Sequence, residues 1–204
     1  MKTTLSTIWT LGFLLPILAL TAVISCHKVH TGPGYVVHND KEAMDFAWRW
    51  FENNDYDVAR KMANVALDIN PESSDACTLL GLIDMRGSNY TQAVSWFEKS
   101  LVIAHKDTVK YNVPVTLNNL GFAYLGIKAY DKAQGVFYES FNIQSYPASV
   151  LGLAISQYKS HDFEKAKNVL KSVLDTANFR SNATNLLKYY SIKLDEDTTQ
   201  FLNL

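Results

Sequence analysis

Apolar and polar positions divide the chain into stretches of different character. From Ile8 to Leu20 the sequence is an apolar run, and Lys2 is the one charge in the first 25 residues. From Cys26 to His38 no period holds, and Gly32-Pro33-Gly34 breaks regular structure. That segment reads as a tether. Asn39 with Glu42 three residues on has the spacing of a helix N-cap and its reciprocal partner, so order is expected to begin there.

Beyond Asn39 one pattern recurs: an aromatic residue, two positions, then Ala. It stands at Tyr56-Asp57-Val58-Ala59, Tyr90-Thr91-Gln92-Ala93, Tyr130-Asp131-Lys132-Ala133 and Phe163-Glu164-Lys165-Ala166. The aromatics are 34, 40 and 33 residues apart. A unit of ~34 residues is a helix-turn-helix period, and the longer interval requires an insertion of about six residues in the polar segment His105 to Asn112. Near the C-terminus Leu187, Tyr190 and Leu194 fall three and four residues apart, which places them on one helical face. A helix is predicted from Asn182 to about Asp195, capped by Asn182 or Ser181, with a frayed tail from Glu196 to Leu204.

The repeating units resemble the tetratricopeptide family over about residues 40 to 180. The third unit matches best, with Leu120-Gly121, Tyr124, Tyr130, Ala133 and Phe137. The second has Leu80-Gly81, Tyr90, Ala93 and Phe97; the first has Ala47, Trp50, Tyr56, Ala59 and Ala66 and closes on Asn70-Pro71. The fourth keeps Leu153-Ala154, Phe163 and Ala166, with Gln157 where an aromatic is expected. The resemblance implies an all-α solenoid of about four hairpins, near 40–73, 74–107, 114–147 and 147–180, with residues 181–204 as a capping helix and tail. A single hairpin cannot bury its apolar face, so neighbours must stack and the ends must be capped.

Charge narrows the function. The chain holds 19 Lys plus Arg against 20 Asp plus Glu, with no basic cluster suited to a phosphate backbone, so nucleic acid is not an expected partner. No Gly-rich phosphate loop, His-Glu-x-x-His, Gly-x-Ser-x-Gly or Cys-x-x-Cys occurs. Neither catalysis, a cofactor nor a small-molecule substrate is expected. His27 and His30 have the spacing of a weak metal pair and lack a third ligand nearby, so no metal site is assigned. Cys77 reads as a small core residue.

The first 25 residues have the layout of an export signal. Val23-Ile24-Ser25-Cys26 resembles the lipobox of bacterial lipoproteins, which implies cleavage before Cys26 and lipidation of its thiol. A plain secretory signal, or an uncleaved anchor from about Leu5 to Ser25, fits the same residues. The lipoprotein resemblance implies a membrane-anchored protein of the cell envelope, with His27 after the lipidated Cys26 favouring the outer membrane and a periplasm-facing domain.

In the tetratricopeptide family the first helix of each hairpin lines a groove that grips a protein partner. Carried over by register, the resemblance implies a groove of Met44, Trp48, Phe51 and Glu52 from the first unit and Thr78, Leu82, Met85 and Arg86 from the second. The third contributes Asn118, Phe122 and Leu125, and the fourth Leu151, Ile155, Tyr158 and Lys159. Asn119 alone matches the set that clamps a terminal carboxylate, so an amphipathic or apolar segment is the expected partner. Similar repeat lipoproteins assist assembly of outer-membrane complexes such as type IV pilus secretins, or tether peptidoglycan hydrolases. The alternative is a structural subunit whose own C-terminal helix covers Trp48, Phe51, Phe122 and Tyr158.

Overall fold

The computed structural model describes residues 29–30, 36–106, 113–171 and 179–202. Cys26, the apolar run before it and most of the expected insertion lie outside the described residues. A short antiparallel pair, β1 (Val29–His30) and β2 (Val36–Val37), opens the described chain. It corrects the reading of 26–38 as a structureless tether. Val37 is fully buried, and the pair packs on the first helix, so that apolar residue draws the segment onto the domain.

Four helical hairpins follow: α1 (Asp40–Glu52) with α2 (Tyr56–Ile69), α3 (Ser74–Arg86) with α4 (Tyr90–Ala104), α5 (Val113–Gly126) with α6 (Tyr130–Ile143), and α7 (Pro147–Lys159) with α8 (Phe163–Lys171). Local chemistry sets their starts. The side chains of Asn39, Asp55 and Ser73 accept the N–H groups of Glu42, Val58 and Ala76, and Pro147 takes the first position of α7, where its missing donor is harmless. Glu42 in turn accepts from the His38 N–H at 2.9 Å, one residue upstream of the position the capping box assigns.

Every hairpin turns in the same way. Asn54, Ser88, Lys128 and His161 adopt positive φ of 62°, 57°, 61° and 63°. The next N–H reaches back five residues: Asp55 to the Trp50 carbonyl, Asn89 to Asp84, Ala129 to Tyr124 and Asp162 to Gln157, at 2.8–3.0 Å. These bonds satisfy the last carbonyls of each first helix.

Within and between hairpins, glycine and phenylalanine interlock. A Cβ on Gly81 would lie 2.5 Å from the Phe97 ring; one on Gly121 or Gly152 would lie 2.6 or 2.1 Å from the Phe137 ring. Phe137 therefore ties α5 and α6 to α7 of the next unit. Polar pins reinforce the stack: Ser100 and Ser140 hydroxyls donate to the Ser74 and Pro114 carbonyls, and Arg60 on α2 pairs with the buried Asp84 on α3 at 2.7 Å. Cys77 is fully buried in α3, and burial pushes its thiol up. The molecule is an all-α solenoid of tetratricopeptide-type hairpins.

Two further helices end the chain, α9 (Phe179–Tyr189) and α10 (Glu196–Leu202). The predicted single helix is thus corrected in three respects, the first being that it ends at Tyr189, well short of Asp195, which leaves Leu194 outside it. It starts earlier than Asn182, and the tail expected to fray forms α10, with Thr198 and Leu202 buried. Asp195 stops the tail from fraying by accepting both the N–H and the hydroxyl of Thr198 at 2.9 and 2.5 Å. Between the two helices Ser191 has φ 58°, and the Ile192 N–H donates to the Leu187 carbonyl at 2.9 Å, the wiring of the four hairpin turns repeated a fifth time.

Candidate partner-binding groove

The first helices contact one another in series, α1 with α3, α3 with α5 and α5 with α7, and so build one continuous inner face. That face carries the residues the register selected. Met44, Phe51, Leu82, Met85, Asn118, Phe122, Leu125, Leu151 and Ile155 are buried; Trp48, Thr78, Arg86, Tyr158 and Lys159 are partly buried; Glu52 is exposed.

The C-terminal segment lies against part of that face. Tyr190 stacks on Phe122 with ring centroids 4.0 Å apart and planes 14° from parallel, and its hydroxyl donates to Asn119 Oδ1 at 2.8 Å. The Arg86 guanidinium lies between two rings, 5.5 Å from Phe51 and 4.3 Å from Tyr189, and donates to the Tyr189 carbonyl. Tyr90 donates to the Ser191 carbonyl at 2.7 Å. The chain then returns toward α7, where Lys159 pairs with Asp195 and Phe201 stacks on Tyr158 at 4.2 Å. The segment thus runs from the fourth unit to the second and back, covering Phe122 and Tyr158 as the structural alternative requires. At the first-unit end Trp48 remains partly exposed, edge-on to Phe51 at 5.8 Å.

The cover is incomplete. An open cleft of about 440 Å³ remains between α5, the start of α7 and α9, bordered by Val115, Asn118, Pro147, Asn185, Leu186 and Tyr190 among others. Asn118 is 3% exposed, and its Oδ1 has no hydrogen-bond partner among the described residues. An acceptor in that state carries its full desolvation penalty.

Electrostatics hold the latch groups in fixed protonation states. Burial, aided by Tyr189, keeps the Tyr190 phenol well above the ordinary value against the opposing pull of Arg86, so it remains a donor. The hydrogen bond from Lys159, followed by those from Thr198, holds the Asp195 carboxyl well below the usual carboxylate range. On α5, burial and the Glu98 carboxylate push the Tyr124 phenol up to about 12; its hydroxyl donates to Glu98 Oε1 at 2.6 Å.

Sequence reasoning assigned the clamp-like Asn119 no ligand and overlooked Tyr189, Ser191, Asp195 and Phe201. A signal for α10 was present in Asp195-Glu196-Asp197, acidic residues clustered at a helix start. The destination of Tyr190 had no such signal, because its partners lie about seventy residues away in sequence.

No protein-family profile matches the chain. Its inner face and repeated hairpins define a class, the tetratricopeptide-type helical solenoids, and comparisons with known proteins fall in the same class. The chain is 28% identical over 138 residues to a tetratricopeptide repeat-containing protein of Methanocaldococcus jannaschii, a match that takes in 68% of this chain and 23% of that protein's length. Among solved structures it resembles the apo form of RapI (TM-score 0.63, 16% identity, 81% of this chain and 50% of that one). It also resembles MamA, residue 41 to the end, from Desulfovibrio magneticus RS-1 (TM-score 0.59, 16% identity, 67% and 75%). At these identities the structures share the fold.

Proposed function

We propose that this chain is a protein-interaction scaffold that holds an amphipathic or apolar segment of a partner against the inner face of its first helices. One observation carries this reading: the face is already seated with a helical segment, through an aromatic stack on Phe122, a hydrogen bond to Asn119 and a cation–π contact at Arg86. Those are the means by which grooves of this kind take amphipathic helices. The export-signal layout and the Cys26 lipobox support a lipid-anchored position in the bacterial envelope, facing the periplasm from the outer membrane. In that setting the scaffold assists assembly of an outer-membrane complex, a type IV pilus secretin being one that the architecture fits.

The same seated segment favours a second reading, a self-capped structural subunit. The test is to express the full chain and Cys26→Ser in a Gram-negative host, with a photocrosslinker at position 48 in place of Trp48. Retention in the membrane fraction that the Cys26→Ser variant loses, with a reproducible protein crosslinked through position 48, is the expected result. A full-length protein that stays soluble and crosslinks to nothing overturns both the anchor and the scaffold.

A further inference from the structure

The C-terminal segment fits its seat imperfectly. Helix α9 has 11 residues, too few to be stable as an isolated helix in water, so its order depends on docking. Of its side chains Ala183 and Leu187 are buried, with Tyr190 just beyond its end, while Ser181, Asn182, Thr184, Asn185, Lys188 and Tyr189 are exposed. The rest of the segment is held at separate points: polar contacts from Tyr190 to Asn119, Tyr90 to Ser191, Arg86 to Tyr189 and Lys159 to Asp195, the ring stacks of Tyr190 on Phe122 and Phe201 on Tyr158, and buried Leu202. Beside α9 lies the open cleft of about 440 Å³, within the range of ligand pockets, roughly 300–1,000 Å³. The cleft leaves the surface between α5, the start of α7 and α9 unfilled, and Asn118 Oδ1 has no donor among the described residues.

We propose that Phe179–Leu202 is an exchangeable placeholder. The segment that displaces it is an amphipathic helix of a partner protein, with a tyrosine at the place of Tyr190 and a bulky, uncharged N–H donor such as tryptophan at the place of Asn185. This rests on the scaffold reading above. The chemistry of the replacement follows from the seat. The cleft is bordered by apolar side chains, asparagines and tyrosines, and no charged side chain lines it. A neutral group that fills it gains apolar contact, and one that also replaces the atoms closing off Asn118 Oδ1 satisfies the buried acceptor. The tyrosine is retained because Phe122 and Asn119 together provide a stacking surface and a hydroxyl acceptor.

The test uses two labelled synthetic peptides, the chain's own residues 179–202 and the same sequence with Asn185→Trp. Each is titrated by fluorescence anisotropy against the full chain and its Tyr190→Ala and Asp195→Lys variants. Asp195→Lys sets a cation against Lys159 and removes the cap on Thr198, which loosens α10 while leaving the Tyr190 contacts in place, so it tests the idea even if Tyr190→Ala does not fold. Loosening the internal segment raises the fraction of open groove, so the variants are expected to bind either peptide about tenfold more tightly than the unmodified chain. The Asn185→Trp peptide is expected to exceed the native peptide by about tenfold. Absence of saturable binding to a variant that still melts cooperatively makes the segment a fixed cap and overturns the proposal. Equal affinity of the two peptides overturns the assignment of the partner's donor. A partner crosslinked through position 48 with no peptide binding would end the placeholder idea and leave the scaffold standing; peptide binding with no envelope partner would do the reverse.

Discussion

Phe137 and Tyr190 both set an aromatic ring against Phe122, one edge-on at 5.0 Å and the other stacked at 4.0 Å. Around Phe137 the space is fully used: two glycines on successive first helices leave no room for a methyl group, and the ring is fully buried. Around Tyr190 the stack and hydrogen bond are well formed, yet the adjoining volume stays open and Asn118 Oδ1 lacks a partner among the described residues. The solenoid is assembled to the density of a protein interior, whereas the C-terminal segment is docked on it more loosely. Hairpin-to-hairpin packing must hold for the fold to exist. The groove contact has to hold only in the absence of something better.

Substitutions can break or sharpen this contrast. The largest effect is expected from Phe137→Ala, which empties the joint between the third and fourth units and should cost about 3–5 kcal/mol in denaturant unfolding. Tyr190→Phe keeps the stack on Phe122 and strands Asn119 Oδ1, so a loss of about 1–3 kcal/mol is expected, along with faster amide exchange in α9 and unchanged exchange in α3 and α5. Asn118→Leu removes the orphaned acceptor and adds apolar contact beside the cleft; a gain of about 1 kcal/mol in the same assay is expected, where a well-satisfied asparagine would give a loss.

The smallest effect is a pH dependence confined to the latch. The Asp195 carboxyl is depressed in the folded chain, so its contribution is complete above the ordinary aspartate value of 3.8 and lost as pH falls below it. Tyr190 is raised, so its contribution is complete below the ordinary tyrosine value of 10.0 and lost as pH climbs beyond it. Protection of α9 amides should therefore stay level between those limits and drop outside them, with Asp195→Asn removing the acidic limb and leaving the alkaline one.

The repeat was legible because its residues report on near neighbours. Phe97 stands where it does because Gly81 of the same unit packs against it, as Gly121 packs against Phe137, and Tyr90 because Gly126 of the next unit packs against it. The inner-face residues followed from the same register. The occupant of that face did not, since the docking of Tyr190 is decided by Phe122 and Asn119, and nothing local in Tyr189-Tyr190-Ser191 encodes them. The β1–β2 pair was missed for a similar reason: Gly32-Pro33-Gly34 argued against order, and the burial of Val37 depends on a contact with α1.

The five turn residues with positive φ, Asn54, Ser88, Lys128, His161 and Ser191, all carry a side chain where glycine would sit without strain. The first four lie at hairpin ends, outside the set of residues that builds the inner face, and Ser191 alone belongs to the docked segment. The array thus keeps an adjustable source of stability apart from the surface that selects a partner. Mutational drift at these bends can harden or soften individual units while leaving recognition untouched, so specificity and robustness can evolve on separate schedules.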